Sequence, residues 1–344
     1  MSSDAKPLRI LTAYEKGKHP AWISKVEIAQ ELLDDWKANR GKNLSPFQKL
    51  GHDLTWAWWL FRRSREYDVV YTGSDWVGLF FAIGQRLMRR NRVPHIFIDF
   101  LVNIRDKPIE KSVRVLLYRL AVQGACKVLV QRRCEVDRYS EVLGVSREKF
   151  AFVHYHPTLY DSVYTVRNEA FIFAGGDSDR DYPLLIEAVR GLPYRVVIAC
   201  LRRDHFQGLE IPQNVEIRKV PEAEFIQLMA GASLNVVPLK WLPQHVGGEQ
   251  TYLNAMTMGK ATIVTDAQAS DYIESGVTGI LTSAGDVQVL RQAIQQLMDN
   301  PETVRRMGER AKEAAKAFAP QKFFDAMFRI SAECVSKRNM PRRA

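Results

Sequence analysis

Residues 245–266, HVGGEQTYLNAMTMGKATIVTD, set Gly247 and Gly248 directly ahead of a helix-forming stretch from Glu249 to Met258, which Gly259 stops before a β-branched run. Glycine lets backbone lie close to a ligand, and a helix start presents unbonded N–H groups and the positive end of a dipole. Together they make a place for a phosphate or diphosphate. The layout recurs in AFIFAGGDSDRDYPLLIEAV (170–189): an apolar run, Gly175 and Gly176, an acidic turn, Arg180, then a helix with Leu184, Leu185 and Ala188 facing inward. Two glycine turns of one sheet can flank one ligand. A guanidinium at position 180 either meets a phosphate oxygen or pairs with Asp179 or Asp181. Neither turn reads GxGxxG after the first strand, or GxxxxGK[ST], which argues against a dinucleotide dehydrogenase or a P-loop NTPase.

These groups need a scaffold, and the apolar pattern supplies one. Short Val-, Ile-, Leu- and Phe-rich runs recur, each followed by a longer amphipathic segment, the pattern of parallel strands buried under helices. The first half holds LRILTA (8–13), YDVVYT (67–72), VPHIFI (93–98), CKVLVQ (126–131) and KFAFVH (149–154). The second half holds AFIFAG (170–175), YRVVIAC (194–200), NVEIR (214–218), SLNVVP (233–238), ATIVT (261–265) and TGILT (278–282). The fold class expected is α/β, with two doubly wound, Rossmann-like parallel-sheet domains. A length of 344 residues supports two such domains with a cleft between them. The aperiodic stretch YHPTLYDSVYTVRNEA marks the linker, so domains are expected at 1–162 and 163–319. Asp286 and Asn300 are expected to cap helices. Beyond Pro320, Phe323, Phe324, Met327, Phe328 and Ile330 make a helix too apolar for a free surface, so it is expected to pack on another unit.

Loops at the carboxyl ends of the first-half strands offer polar groups for a second ligand. They hold Lys18, His19 and Trp22, then Ser74 and Asp75, then Asp99 and Asn103, then Arg132 and Arg133. Asp99 either orients or deprotonates a hydroxyl, or caps a helix or pairs with Arg105. No Ser/His/Asp set and no carboxylate pair at helical spacing points to one cleft.

The formal charge is +10, and residues 1–160 carry all of it, with 27 Lys and Arg against 17 Asp and Glu. That half is expected to meet something anionic. The segment LTWAWWLFRRSR (54–65) sets Trp56, Trp58, Trp59 and Phe61 beside Arg62, Arg63 and Arg65, a pairing suited to the headgroups of an anionic membrane or to a buried aromatic helix with a charged end. Arg86, Arg89, Arg90 and Arg92 add to it. No nucleic-acid recognition motif accompanies this charge. No run reaches the roughly 18 apolar residues of a membrane span. MSSDAKPLRILTAY lacks an apolar signal core, leaving the cytoplasm, or the inner face of the cell membrane, as the expected address. Cys126, Cys134, Cys200 and Cys334 lack the paired spacing of a zinc site and are expected to be reduced. No metal is expected.

The motifs GGDSDRDYPLLIEA, VVPLK, GGEQTYLNAMTMGKATIVTD and DYIESGVTGILTSAGDVQVLRQAIQQLMDNPE, within 170–319, resemble the donor domain of a family-four retaining glycosyltransferase of GT-B fold. YDVVYTGSDWVGLFFA, RNRVPHIFID and KVLVQRRCEVDRYSEVLGVSREKFAFVHY resemble its acceptor domain more loosely. The resemblance implies two domains facing each other across a cleft, with 320–344 returning to pack on the first, and transfer of a sugar, with retention, from a nucleoside-diphosphate sugar. UDP is favoured over GDP, and no further cofactor is implied. An acceptor hydroxyl on a glycolipid, envelope or anionic acceptor is expected. A hydrolase or epimerase of the same fold, or a protein that only binds sugar nucleotides, is the alternative. By this resemblance Arg180 falls where the family holds a cation on the donor diphosphate. Gly176 replaces a second cation, a charge that Lys240 would supply. The family's two glutamates, on the donor sugar and the nucleotide ribose, are replaced by Val246 and Asn254. Asn254 still bonds a hydroxyl, and Glu249 or His245 would have to meet the sugar. Donor binding is therefore expected at Gly175, Gly176, Arg180, His245, Gly247, Gly248, Glu249, Gln250, Thr251 and Asn254, with Asp99, Arg180 and Lys240 in catalysis. The acceptor would meet Lys18, His19, Trp22, Asp75 and Asn103. The oligomeric state is left open.

Overall fold

Two six-stranded sheets of parallel strands, each wrapped by helices, carry the chain. The computed structural model describes residues 8–12, 20–39, 45–87, 92–102, 108–240 and 247–339. Contacts divide the chain into unit 1, residues 1–153 with 324–344, and unit 2, residues 154–323.

Unit 1 holds β1 (Ile10–Thr12), β2 (Val26–Ile28), β3 (Val69–Gly73), β4 (His95–Asp99), β5 (Lys127–Val130) and β6 (Phe150–Phe152). They lie in the order β2-β1-β3-β4-β5-β6. Its helices are α1 (Pro20–Ile23), α2 (Gln30–Asn39), α3 (Pro46–Ser64), α4 (Trp76–Leu87), α5 (Pro108–Gly124) and α6 (Arg133–Leu143). Strand β2 escaped the reading by composition, because VEI is three residues long and turns the exposed Glu27 outward.

Unit 2 holds β7 (Glu169–Gly175), β8 (Arg195–Ala199), β9 (Val215–Arg218), β10 (Ala232–Val237), β11 (Ala261–Val264) and β12 (Ile280–Leu281), in the order β12-β11-β10-β7-β8-β9. Its helices are α7 (Tyr182–Val189), α8 (Glu222–Gly231), α9 (Glu249–Thr257), α10 (Val287–Met298) and α11 (Pro301–Ala315). Asp286 accepts from Val289 N at 3.0 Å and Asn300 from Thr303 N at 3.1 Å, so both cap as expected. The chain enters unit 2 at His154, earlier than composition suggested, because Tyr155, Leu159 and Tyr164 pack on its apolar clusters.

The last helix, α12 (Pro320–Asn339), starts in unit 2 and continues in unit 1. There Phe324 lies against Trp22, the Tyr71 and Ser331 hydroxyls bond at 2.5 Å, and Cys334 forms a disulfide with Cys126. The expectation that all four cysteines are reduced is thus corrected for these two, which stand 208 residues apart. Nothing local in the sequence signals that pairing. Cys134 and Cys200 are not disulfide-bonded.

Among the described residues, no helix is long and apolar enough to cross a membrane. No cluster of three His, Cys, Asp or Glu side chains among them is placed to hold a metal.

Order in each sheet decides where a ligand would sit. In unit 1 the chain steps from β1 outward to β2, then reverses to the far side of β1 for β3. In unit 2 it runs β7, β8, β9, then reverses to the far side of β7 for β10. Open parallel sheets bind ligands outside the strand carboxyl ends at such a reversal. Both glycine turns of unit 2 follow the two strands that flank its reversal.

The opposite rim of that sheet is held by a buried cation. Lys260, 1% exposed, donates to Arg167 O, to Asn168 Oδ1 at 2.9 Å and to Ala232 O at 2.8 Å, joining the starts of β7 and β10. Lys260→Met would leave all three acceptors unmatched. It is expected to destabilise unit 2 by about 3 kcal/mol in urea unfolding, with no change in ligand affinity.

Candidate functional site

At the reversal in unit 2 the backbone after β7 and the backbone after β10 pair with each other. Asp181 N donates to Pro238 O at 2.8 Å and Lys240 N to Asp179 O at 2.9 Å, while Arg180 and Leu239 form an antiparallel bridge. The Thr265 hydroxyl fixes Leu239 from the other side, accepting from its N–H at 2.6 Å and donating to its carbonyl at 3.0 Å. Gly176 and Gly248 have φ of 110° and 104°, and Asp179 at 56° is a non-glycine residue in the left-handed region. Such departures cluster at functional sites, since the surrounding bonds must enforce them. A Cβ on Gly248 would meet Leu239 Cδ2 at 3.0 Å, and one on Gly176 would meet Arg180 Nη2 at 2.7 Å. Only a bare backbone fits at either place.

Gly248 caps α9 without a side-chain hydrogen bond, and its carbonyl accepts from Thr251 N at 2.9 Å, so the cap at this helix start is backbone alone. This is the arrangement that the opening motif suggests, and it sits at the carboxyl end of β10. Glu249 stands at its first position.

Arg180 is placed differently from the expectation. It is 3% exposed, and it donates from Nε to Gly175 O at 3.0 Å, from Nη1 to Ser178 O at 2.7 Å and from Nη2 to Thr251 Oγ1 at 2.8 Å. Burial lowers its pKa, and the charges of Tyr182, Asp179, Glu249 and Asp177 work against that shift. Neither Asp179 nor Asp181 forms the expected salt bridge with it: Asp181 instead caps α7, accepting from Leu184 N at 3.2 Å. The guanidinium is a clamp that ties the first glycine turn to the start of α9. The exposed cation at this corner is Lys240, whose main chain is held by Asp179.

Gln250 and Asn254 do share a face of α9, but that face is occupied. Gln250 Nε2 and Asn254 Nδ2 donate to Thr158 Oγ1 at 2.8 and 3.1 Å, and Asn254 Oδ1 accepts from Leu159 N at 3.0 Å. Their assignment to a bound hydroxyl is therefore corrected: they anchor the chain where it enters unit 2. Thr158, 96 residues before Asn254, carried no signal of this role. Thr251 serves Arg180. Sequence reading also passed over Asp177, whose carboxylate accepts from Leu201 N at 2.8 Å, Arg202 N at 3.1 Å and Cys200 Sγ at 3.1 Å. Burial alone would raise its pKa, but these bonds hold it below the usual carboxylate range. A cavity beside it is bounded by Gly176, Cys200, Leu201, Val220, Glu222 and Phe225, next to the first glycine turn. His245 and Val246 lie outside the described residues.

In unit 1, Asp75 follows β3 at the reversal of the first sheet. Its Oδ1 accepts from Gly78 N at 2.8 Å, so it caps α4, the helix-capping role considered above for Asp99. Desolvation raises its pKa to about 6, aided by repulsion from Asp53 and opposed by the Gly78 bond. Asp99 ends the neighbouring strand, half-buried, and its carbonyl accepts from Ser74 N at 3.2 Å. Trp22 is a correction: it is fully buried, stacked on Tyr71 at 5.9 Å and against Phe324 at 5.5 Å, and so belongs to the core. Arg132 is buried as well. Lys18, His19, Asn103 and Arg105 lie outside the described residues.

Comparison with known proteins agrees with this geometry. Residues 165–300 match the family model described as glycosyl transferases group 1. A stretch of 146 residues is 30% identical to an exopolysaccharide phosphotransferase of Streptomyces coelicolor, covering 41% of this chain but 15% of that much longer protein. The fold is similar to that of HepE from Anabaena, solved with UDP and glucose, at a TM-score of 0.69 and 17% identity over 96% of this chain and all of that one. It is also similar to a sucrose-phosphate synthase from Thermosynechococcus elongatus, at a TM-score of 0.68 and 14% identity over 86% of this chain and 81% of that one. At such identities the likeness is one of fold, and the fold is GT-B: two Rossmann-like parallel-sheet domains.

Proposed function

Because residues 165–300 match the family model of glycosyl transferases group 1, we propose that this chain moves a sugar from a nucleoside-diphosphate donor to an acceptor hydroxyl. The observation that carries the reading is the glycine-capped start of α9, set against the first glycine turn at the chain reversal of the second sheet. The amides of the α9 start and the Lys240 ammonium face the donor diphosphate, and Glu249 faces the sugar. The cavity beside Asp177 takes the nucleoside.

As the anomeric C–O bond breaks, its electron pair moves onto the departing diphosphate. Oriented amides and a cation stabilise that charge, each such group being worth about 3 kcal/mol by analogy with oxyanion donors. The acceptor oxygen bonds the anomeric carbon on the face the diphosphate leaves, so configuration is retained, and its proton passes to a phosphate oxygen. Acceptor recognition falls to unit 1, with Asp99 orienting the hydroxyl. The positive charge of residues 1–160 fits a glycolipid, envelope or other anionic acceptor used at the inner face of a membrane. UDP is the favoured base, in keeping with the UDP seen in HepE.

Thermal melting with UDP, GDP, ADP and dTDP tests this. At about 100 times Kd the true base should add about 2.7 kcal/mol of stability. If none of the four shifts the melt, the donor site is refuted. A second reading, binding without transfer, draws on the occupied side chains of Arg180 and Asn254. Stabilisation by UDP with no turnover over a panel of lipid and sugar acceptors would favour it. Free sugar, or an isomerised donor, formed without acceptor would mark a hydrolase or epimerase.

A further inference from the structure

Helix α3 is amphipathic in the ordinary way on one side only. Ala57, Leu60 and Ser64 are buried, Phe61 packs on Phe81 at 4.9 Å, and Trp56 donates to Asp35 at 2.9 Å while meeting Trp59 edge to face. Three of the four aromatic rings of segment 54–65 thus belong to the core rather than to a surface patch. The outer side, which should be polar, is not. Phe47 is 86% exposed, Leu50 45%, Leu54 47% and Trp58 59%. Spaced by three, four and four residues, they form one stripe along the helix.

Arg62 and Arg65 continue the stripe, four and seven residues after Trp58, and both are exposed. No carboxylate lies on that outward side. Asp53 is half-buried beside His52, and Glu66, past the helix end, is paired with Arg63. The Ser45–Gln48 capping box fixes the first turn, where Phe47 is presented. An exposed row of bulky apolar side chains with cations at its end is unusual on a soluble surface. A bilayer interface satisfies it: rings and leucines enter the acyl boundary while guanidinium groups meet phosphate.

We propose that the outer face of α3 docks on a lipid bilayer carrying anionic phospholipid. A second copy of this chain is the less suitable occupant, because it would bring Arg62 and Arg65 against like charges. The proposal does not depend on the donor chemistry, and the two fail separately.

The test is co-sedimentation of the full chain with vesicles of phosphatidylcholine alone or with 30% phosphatidylglycerol, a composition of roughly physiological charge. Binding is expected only to the anionic vesicles, and weaker at high salt. Leu54→Glu with Trp58→Glu should reduce it by roughly a hundredfold, and Arg62→Glu with Arg65→Glu by at least tenfold. Circular dichroism and an unchanged melting temperature, with an unchanged UDP-induced shift, establish that the variants are folded. Failure to bind anionic vesicles overturns the proposal, as does binding that survives the Leu54 and Trp58 changes. A lipid-free dimer that those changes dissociate would assign the face to a second copy instead.

Discussion

Arg180→Ala is expected to lower donor-dependent turnover by at least roughly a hundredfold, the cost of a modest misplacement of catalytic groups. The same change should destabilise unit 2 by about 2–4 kcal/mol. Both effects come from one geometry. The guanidinium holds the Gly175 and Ser178 carbonyls and the Thr251 hydroxyl, so without it the glycine turn and the α9 start lose their common anchor. Since the group is buried, its part in the proposed donor site is to position backbone rather than to meet phosphate. Arg180→Lys should therefore fail nearly as badly, because an ammonium retains the charge but not the planar fork. Near-normal kcat/KM in Arg180→Lys would show that charge alone matters and would sink the positioning role. Lys240→Ala gives the contrast: its side chain is exposed, so melting should be unchanged while donor KM rises. Steady-state kinetics over a donor series, with melting curves for each variant, separates these outcomes.

Removing the Cys126–Cys334 link should weaken unit 1 by about 2–5 kcal/mol, lowering its melting temperature by roughly 10 °C. The bond closes a loop of 208 residues, and constraint of the unfolded chain grows with loop length. It also secures the segment of α12 that supplies Phe324 and Ser331 to the core of unit 1. Cys334→Ser and wild type in reductant should melt alike, and reductant should not affect the variant further. Two titratable thiols at these positions in the native, unreduced protein would refute the link.

The repetition of apolar runs and amphipathic segments was enough to read the class of fold, because buried parallel strands have few ways to look. Order within each sheet was not legible, since it depends on pairings between strands far apart in the chain. The start of α9 was legible because glycine and a helix start act locally. Arg180 stood out as unusual, yet its role did not, for two of its three partners are backbone carbonyls, which have no signature in residue type. Trp22 illustrates the opposite error: placed by its loop, it was read as a ligand contact, whereas burial decides its role. In α3 the aromatic run looked like one patch, and tertiary packing divides it, seating Trp56, Trp59 and Phe61 against the core of unit 1 and leaving Trp58 exposed.

The grip of Gln250 and Asn254 on Thr158 and Leu159 makes α9 more than a wall of its pocket. Three hydrogen bonds join that helix to the polypeptide at Thr158 and Leu159, four and five residues after the chain enters unit 2 at His154, so a shift of either must strain or break the bonds to the other.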